Sequence, residues 1–574
     1  MRRVLVHLAV AWLSAPLLRA EISIQIETDP VSGVRVDVVS PFDVTPPVGF
    51  LPCAVTIENH SGSNGTWDFS LTTRRQYSTG TIEQFSQRLA VPDGGRSRFD
   101  LLVPIVPRPQ SENGGTPQMG AVSGRGVVQP SFSISGVIGP SSQTVFVAMS
   151  HVLATPSWAA LRDYFDKEKH VSLAGSAVNV ETLGADWRAW AGIDCLWITP
   201  AEYDALTPGP RRAMRDWLMQ GGTVFFCVDG QDRVPVEYRP EDGGNIRRVG
   251  LGSARVFQWN STAPPVDRVA RAISDLPRGL GELLSFNYRP MSPIILRAGE
   301  LRLNVALLSV FVALFAVAVG PLNILWLARA GRRHRLFWTT PLISLAASVI
   351  LVGVIILQDG FGGSGGRVLL TYLIPDEPRA VLMQEQASRT GVLLSRNFQV
   401  PEHAMLAPIT VGGREHDSRM LRVSGDTYSG DWFTSRAIQA QYLQTIVPTR
   451  ESIEVVNTDA TAGGAAPEIL STISAPLTTL YYIDSAGRQW KGEQVIAGSR
   501  VTLEPAPDAN IRAEISKAVQ PGAAIERALE SADNREGAFY AIAEEGNFLP
   551  TLPSIRWRND SAIYIGEAKR ASVP

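Results

Sequence analysis

Two apolar stretches decide the architecture of this chain: LNVALLSVFVALFAVAVGPLNILWLA, residues 303–328, and LFWTTPLISLAASVILVGVIILQ, residues 336–358. Neither contains a charged side chain, and each exceeds the roughly 20 residues with which a helix crosses about 30 Å of hydrocarbon. The connector, residues 329–335, contains the four arginines Arg329, Arg332, Arg333 and Arg335. Basic residues close to a span favour the cytoplasmic side. The pattern predicts a transmembrane hairpin in the lipid bilayer, with both flanking regions outside the cytoplasm.

The first 20 residues predict the same export. They begin Met-Arg-Arg, continue as an apolar run and end at Ala20. This order is typical of a secretory signal peptide, with cleavage expected after Ala20. An uncleaved anchor is the alternative, and it gives the same topology for the residues that follow.

Composition excludes some classes of function. The chain has 574 residues, and its 53 basic and 55 acidic side chains leave a net charge of −2. Nucleic-acid binding would require a basic field, so no nucleic-acid partner is expected. The cysteines Cys53, Cys195 and Cys227 are too scattered for a disulfide framework or a structural zinc site, and no metal or cofactor is predicted. A bond between Cys195 and Cys227 remains open, but their apolar surroundings favour two buried thiols.

Residues 21–140 have the pattern of antiparallel strands. Apolar and polar residues alternate in four short runs, and the turn residues Asn64-Gly65 and Asp93-Gly94-Gly95 predict hairpins between runs. The expected fold is an immunoglobulin-like β-sandwich. The four runs are Val34–Val39, Cys53–Ile57, Trp67–Leu71 and Phe99–Val103.

Residues 141–262 change to alternating buried strands and helices, which predicts parallel βαβ units in a doubly wound α/β domain. The strands are expected at Val145–Met149, Cys195–Thr199, Val224–Val228 and Ala254–Trp259, and the helices at Trp158–Lys169 and Pro210–Gln220. Residues 263–302 then read as a linker with one short helix, Val266–Leu276.

The region after the hairpin begins with a glycine-rich segment, residues 359–366, which predicts a flexible tether. Residues 367–574 return to short alternating runs and indicate a second, β-rich domain. A helical segment, Ile511–Ala532, is expected to break at Pro521-Gly522. The predicted fold class is thus a multidomain combination of all-β and α/β regions around a two-helix transmembrane hairpin.

The runs Asp194–Pro200 and Gly221–Val228, with a helix between them, resemble the core of class I glutamine amidotransferases. In that family a cysteine nucleophile ends the strand after such a helix, so the resemblance assigns this place to Cys227. The strained nucleophile turn needs small residues two positions on either side, whereas this chain has Phe225 and Asp229. The resemblance therefore implies a domain that binds rather than reacts.

The histidine inventory supports the same interpretation. The family's catalytic histidine follows its cysteine, but the chain has no histidine between His170 and His334, and His334 lies in the predicted cytoplasmic connector. His151, just after the first strand, is the one weak alternative as a base for Cys227. Without an adjacent base a thiol is mostly protonated and a poor nucleophile.

A second resemblance covers the hairpin and the residues after it. Val319-Gly-Pro-Leu-Asn323, the arginine-rich turn and Leu336–Pro341 are similar to the core of uncharacterised two-span envelope proteins of bacteria. Asp431-Trp-Phe-Thr-Ser-Arg436 resembles a short motif in the outer domain of the same proteins, and Trp432 with Arg436 forms a candidate ligand or interface pair. A buried indole and a surface arginine are the alternative interpretation.

Together these features predict a protein of the bacterial inner (cytoplasmic) membrane whose N- and C-terminal domains lie on the extracytoplasmic side. The leading hypothesis is a non-catalytic binding or scaffold protein whose partners are other envelope or membrane proteins. One alternative is a hydrolase or amidotransferase-type enzyme that uses Cys227. Another is an accessory subunit of a membrane transporter, which would need a membrane partner because the two spans hold no ionisable group.

Overall fold

The computed structural model describes residues 22–570 apart from fifteen short gaps. The predicted signal peptide, Arg329 and Arg332 lie outside the described residues. The gaps are 75–81, 107–117, 135–144, 170–172, 231–232, 241–243, 261, 286–292, 300–304, 328–330, 332, 412–419, 457–465, 508 and 533–534.

The protein is a mixed α/β structure dominated by strands, with two long apolar helices. Residues before the helix pair form a five-stranded sheet, four strands of a facing seven-stranded sheet and an α/β layer; residues after it complete the seven-stranded sheet and form a large sheet covered by helices. The predicted class, β-rich and α/β regions around two apolar helices, is confirmed at this level.

A five-stranded antiparallel sheet begins the chain. Its inward residues alternate with outward ones, as in Val34–Ser40, where Val36 and Val38 are buried and pair with Ile57 and Val55. The strand Gly95–Ile105, called the edge strand below, is the last member on one side. In spatial order the strands are Gly95–Ile105, Gly49–Asn59, Val34–Ser40, Ile22–Thr28 and Val127–Gln129.

The facing seven-stranded sheet contains residues from both sides of the helix pair. Met420–Ser424 pairs in parallel with Ile82–Val91, so the sheet is not confined to residues 21–140. The predicted hairpins at Asn64-Gly65 and Asp93–Gly95 are wrong, because the strands on either side of each turn belong to different sheets. In order, the strands are Phe398–Gln399, Thr427–Gly430, Met420–Ser424, Ile82–Val91, Gly65–Arg74, Gln118–Gly124 and Ser131–Ile134.

A six-stranded sheet forms the α/β region, parallel except for one outer strand, Ile246–Val249. Its central strands are buried along their length because helices cover the sheet, as expected for βαβ units. The order is Gly175–Val178, Val147–Ser150, Cys195–Ile198, Thr223–Val228, Gly252–Gln258 and Ile246–Val249. The helices are His151–Tyr164, Pro200–Ala205, Pro208–Met219 and Val266–Ser274, with a π-helical turn Phe165–Lys169 and 3-10 turns at Val180–Leu183, Trp187–Ala189 and Val236–Tyr238.

A ten-stranded sheet dominates the region after the helix pair. Two helices, Ile511–Val519 and Ala523–Ser531, cover it and are separated at Gln520, close to the predicted break. The strands run Met405–Ile409, Ile438–Pro448, Arg379–Thr390, Gly363–Leu373, Ser561–Glu567, Ala538–Ala543, Leu477–Ile483, Gln489–Val495 and Glu504–Pro505, with Ile555–Trp557 beside Gly363–Leu373. A four-stranded sheet contains Arg500–Thr502, Glu468–Ser471, Ile453–Val455 and Lys569–Arg570.

The predicted tether, residues 359–366, is a strand in its second half. Gly363–Gly366 pair with residues 387–390, and a Cβ at Gly365 would lie 2.2 Å from the Ala387 carbonyl oxygen. These glycines permit close backbone approach, which composition does not distinguish from flexibility. The prediction of a flexible tether is therefore wrong for Gly363–Gly366.

The predicted linker, residues 263–302, holds three helices rather than one. Val266–Ser274 packs on the α/β sheet, whereas Leu280–Ser285 and Pro293–Arg297 lie on the ten-stranded sheet. Arg297 Nη1 donates to the Asn559 carbonyl oxygen at 2.7 Å. This segment therefore connects the two regions by packing.

Side chains join the regions at two further places. Arg379 Nη1, on the ten-stranded sheet, lies 2.9 and 3.1 Å from the two carboxylate oxygens of Asp216 in helix Pro208–Met219. The hydroxyl of Ser176, in the α/β sheet, contacts Asp43, which lies beside the five-stranded sheet. The backbone N–H of Asp43 donates to Ser176 Oγ at 3.0 Å. The regions before and after the helix pair thus form one packed body.

The two apolar helices stand apart from this body. One is Val305–Val317, continued as the π-helix Ala318–Leu327, and the other is Leu336–Asp359. Their most apolar windows are 6% and 0% buried, unlike core helices. Asn323 joins them, donating to Thr340 Oγ1 at 3.0 Å and accepting from Thr339 Oγ1 at 2.7 Å. Both helices are long and apolar enough to cross a membrane.

Candidate functional site

The cysteine suggested by the amidotransferase resemblance is buried. Cys227 is 1% exposed and packs among Phe225, Trp197 and Phe257. Burial raises the pKa of this thiol well above its usual value, and the charge of Glu202 raises it further. The thiol therefore stays protonated at neutral pH and is a poor nucleophile.

His151 does not supply the missing base. It begins helix His151–Tyr164, and its Nδ1 lies 3.1 Å from Thr155 Oγ1. Among the described residues no hydrogen bond joins Cys227 to an imidazole. The two residues proposed as a weak catalytic pair are not brought together as a nucleophile and its base.

The carboxylate at this edge of the α/β sheet has a structural task. Glu202 Oε2 accepts hydrogen bonds from Ser150 Oγ at 2.8 Å and from Thr199 N and Oγ1 at 3.1 and 2.8 Å. Thr199 Oγ1 in turn accepts from the N–H of Glu202, which completes a capping box at helix Pro200–Ala205. These polar groups, at the sheet edge where such folds usually bind ligands, are thus used in helix capping.

Trp432 and Arg436 have different environments. The indole of Trp432 is 4% exposed, donates to the Arg422 carbonyl oxygen at 3.2 Å and packs edge-to-face on Tyr428. Arg436 is exposed in a turn, where its N–H donates to the Gly391 carbonyl oxygen at 3.0 Å. The two side chains therefore share no exposed surface, and Trp432 matches the alternative interpretation of a packing indole.

The basic connector is described in part. Arg333 and Arg335 are exposed in the 3-10 turn Arg333–Arg335, at the end of the helix pair away from the packed body. Their exposure is compatible with contact with water or lipid headgroups.

A large cavity lies at the junction of three chain regions. This junction cleft encloses about 820 Å³, within the usual range for ligand sites. Its floor is the outer face and edge of the five-stranded sheet, and its walls come from residues 181–189 of the α/β region and residues 399–428 beyond the helix pair. Its lining includes Phe50, Thr56, Arg98, Asp100, Asp186, Arg188, Glu402, His403, Gly425 and Asp426.

A polar cluster holds the three regions together at the cleft. Arg188 forms an ion pair with Asp186, in which Nη2 donates to Oδ2 at 2.7 Å. The guanidinium of Arg188 also lies 5.7 Å from the ring centre of Phe50. His403, from beyond the helix pair, places Nδ1 3.3 Å from Arg188 Nη2. Burial acts to raise the pKa of Asp186, but the hydrogen bonds and charge of Arg188 outweigh it and the pKa is lowered. Asp186 is therefore ionised at neutral pH and fixes the arginine.

The cleft lining is acidic. It contains the five carboxylates of Asp100, Glu181, Asp186, Glu402 and Asp426 against the two arginines Arg98 and Arg188. Arg98 Nε lies 2.9 Å from Asp100 and Arg188 is held by Asp186, so both arginines are already matched to carboxylates. The remaining lining carboxylates give the cleft a negative potential.

The edge strand adds backbone groups to the cleft. It pairs with Gly49–Asn59 on one side, and among the described residues no strand pairs with its other side. Ile82–Val91 of the facing sheet lies against it, and that sheet continues past it through Met420–Ser424, Thr427–Gly430 and Phe398–Gln399. At the cleft the five-stranded sheet therefore ends at the edge strand, while the facing sheet continues beyond it.

Sequence reasoning missed this site because its residues lie more than 300 positions apart and form no local motif. A second cavity, at the contact between the α/β region and the ten-stranded sheet, encloses about 70 Å³, too little for a ligand of ordinary size. No group of three or more His, Cys, Asp or Glu residues suited to a metal ion occurs in the described part of the chain.

Comparison with known proteins identifies no family. No family model and no curated protein matches the chain. Among solved structures, a β-D-mannosidase from Dictyoglomus thermophilum aligns at 10% identity over 86% of this chain and 75% of its own, with a TM-score of 0.17. The exo-chitosanase CsxA of Amycolatopsis orientalis aligns at 8% identity over 93% and 79%, with a TM-score of 0.14. Likeness this weak carries no argument about fold or activity.

Proposed function

We propose that this protein is a membrane-anchored, non-catalytic binding or scaffold protein of the bacterial envelope, and that the junction cleft is its docking site. The observation that carries the proposal is the cleft itself: about 820 Å³ between parts of the chain that lie on both sides of the helix pair. Its partners are other envelope or membrane proteins, and the α/β region acts as a silent, amidotransferase-like packing and binding unit.

The helix pair supports the proposed location. Both helices are apolar and almost wholly exposed, and the polar link between them in the described part of the chain is the neutral cluster of Asn323 with two threonines. The arginine-rich connector supports a cytoplasmic turn in the inner membrane, with the packed body outside. The packed body contains residues from before and after the hairpin, which supports a topology with both flanks on the same side of the membrane.

The proposal ranks above the two alternatives for specific reasons. An enzyme using Cys227 needs an accessible thiolate, whereas this sulfur is buried and its pKa is raised. A transporter subunit needs ionisable or substrate-binding groups in its spans or a second membrane protein, and the apolar stretches 303–328 and 336–358 contain no charged residue.

Site-specific photo-crosslinking in intact membranes tests the proposal. A photoreactive residue at Thr56, on the cleft floor, is expected to capture a specific envelope protein. The control is the same residue at Asp68, exposed on the other sheet. The captured protein, added in purified form, must also reduce crosslinking from position 56. Identical adducts at both positions, or none at Thr56, would refute a docking role for the cleft.

A further inference from the structure

We infer that the junction cleft binds an extended, basic polypeptide segment of a partner protein, which adds a strand to the edge strand Gly95–Ile105. This inference rests on the proposed docking role of the cleft and specifies the chemistry of its occupant. Three observations carry it: the open side of the edge strand, the facing sheet that continues past it, and the acidic lining.

The edge strand supplies the main-chain part of recognition. In an antiparallel sheet, alternate residues of an outer strand direct N–H and C=O groups away from their partner strand. The edge strand is eleven residues long and pairs with Gly49–Asn59 through its whole length, so its register is fixed before anything binds. A segment that adds to its other side would satisfy these groups without rearrangement of the sheet.

The facing sheet makes room for one added strand. Ile82–Val91 already packs against the edge strand, so Met420–Ser424 and Thr427–Gly430 lie where a sixth strand of the shorter sheet would be covered. The turn of that hairpin, Gly425 and Asp426, lines the cleft directly. An added strand would therefore enter between two existing layers rather than extend into solvent.

Charge selects the sequence of the segment. Asp426 in the opposite turn and Glu402 in the third wall line the cleft, and Asp100, which shares its charge with Arg98, lines it on the edge strand, so carboxylates line the cleft on three sides. Lysine or arginine at alternate positions of a bound strand would point to one face and meet them. A small organic cation would satisfy this charge but would leave the edge of the strand without a partner.

The test uses the full chain in lipid nanodiscs and three fluorescent peptides of about ten residues, with binding followed by anisotropy. The first peptide alternates lysine and valine, the second alternates glutamate and valine, and the third has the charge of the first but proline at alternate positions, which blocks strand pairing. The lysine–valine peptide is expected to bind at least tenfold more tightly than either of the others. Equal binding of the proline peptide, or tighter binding of the glutamate peptide, would overturn the inference.

Two variants make the test specific to the cleft. Asp100→Lys with Asp426→Lys is expected to weaken lysine–valine peptide binding at least tenfold. Asp68→Lys is the matched control: Asp68 is exposed and paired with Arg88 at 3.1 Å, much as Asp100 is paired with Arg98 at 2.9 Å, but it lies away from the cleft. All variants must keep the melting temperature of the wild type. Equal losses in the control, or none in the double variant, would overturn the inference.

The results separate this inference from the proposed function. Capture of a partner from Thr56 that the lysine–valine peptide does not displace would refute the basic strand while leaving the docking role intact. Peptide binding without capture in membranes would refute the docking role in the cell. Self-association of the chain that Asp100→Lys abolishes would identify a second copy as the occupant and overturn the inference.

Discussion

Replacement of Gly192 by alanine tests the packing between the five-stranded sheet and the α/β region. A Cβ at Gly192 would lie 2.6 Å from the Val48 carbonyl oxygen and 2.6 Å from Pro46 Cβ. From the other side, a Cβ at Gly49 would lie 2.7 Å from Gly192 N. Two backbones therefore touch at these glycines, and an added methyl group must displace main-chain atoms rather than a mobile side chain.

The magnitude follows from the chemistry of overpacking. Insertion of one methyl group into a filled contact costs about 1–3 kcal/mol. The backbone of Gly192 lies outside the left-handed region, so alanine adds no conformational strain and even restricts the unfolded chain slightly. For a cooperative unit of roughly 150–250 residues, 1 kcal/mol lowers the melting temperature by about 2–4 °C. At the middle of this range, about 2 kcal/mol, Gly192→Ala is thus expected to lower the melting temperature by about 4–8 °C.

Gly244→Ala is the matched control. Gly244 also lies outside the left-handed region, and a Cβ there would meet no atom within 4 Å. The assay is thermal unfolding of the full chain in detergent, followed through tryptophan fluorescence, with partial proteolysis at moderate temperature to detect separation of the regions. If the two variants melt within about 1 °C of each other, the close approach at Gly192 does not exist and the walls of the junction cleft are not held as described.

Three further predictions concern buried polar groups. In the native chain a maleimide should label none of Cys53, Cys195 and Cys227, because all three thiols are buried. After denaturation all three are free to react, and mass spectrometry should detect three labels. Rapid labelling of Cys227 in the native chain would instead favour the enzyme alternative. Burial raises the pKa of Asp194 above its usual value despite the charge of Arg527 and two backbone N–H donors. The folded state therefore holds the proton of Asp194 more tightly than the unfolded state does. The resulting contribution to the free energy of unfolding is full below about pH 3.9 and declines as pH rises toward the folded-state pKa. Asp194→Asn should therefore gain stability relative to the wild type as pH rises through this window in thermal melts, and parallel pH profiles would contradict the assignment. Asn323→Leu should lower the free energy of SDS-induced unfolding of the helix pair by about 0.6–2 kcal/mol. Ser348→Ala is the control, because the Ser348 hydroxyl donates to the Ser344 carbonyl oxygen within its own helix at 2.9 Å. Equal effects of the two substitutions would argue against the interhelical hydrogen bonds.

The elements that were predictable from sequence are those with a strong local period. Strand Thr223–Val228 and helix Pro208–Met219 lie within two residues of the predicted bounds, because an unbroken apolar run and a helical repeat are each sufficient signals. Helix His151–Tyr164 begins seven residues before the predicted start, because it contains Pro156, which by local rules should lie outside a helix. Such tertiary context overrides propensity and has no local signature.

Relations between distant segments were not predictable. The parallel pairing of Met420–Ser424 with Ile82–Val91 joins residues more than 300 positions apart, and neither strand carries a mark of its partner. The candidate residues Cys227, Trp432 and Arg436 were selected from local motifs, whereas the junction cleft depends on which loops meet in space. The glycine-rich run 359–366 predicts a tether from its composition, because composition indicates conformational freedom and does not reveal the close backbone contact that the structure shows at Gly363–Gly366.

The shared sheet also limits the order in which the chain can assemble. One partner of its strand Ile82–Val91 is Met420–Ser424, which is synthesised only after both apolar helices. The edge of Ile82–Val91 that pairs with this partner therefore stays unpaired until residues 420–424 have been made. Pairing across such a sequence separation is entropically costly and slow. On the proposed topology, residues 420–424 reach the strand only after the second helix has returned the chain across the membrane. Completion of the junction cleft, whose wall includes Gly425 and Asp426, therefore depends on correct insertion of the helix pair. On this proposal the hairpin contributes to the proposed docking site: it does not line the cleft, but its insertion determines whether the wall that faces the edge strand reaches the same side of the membrane.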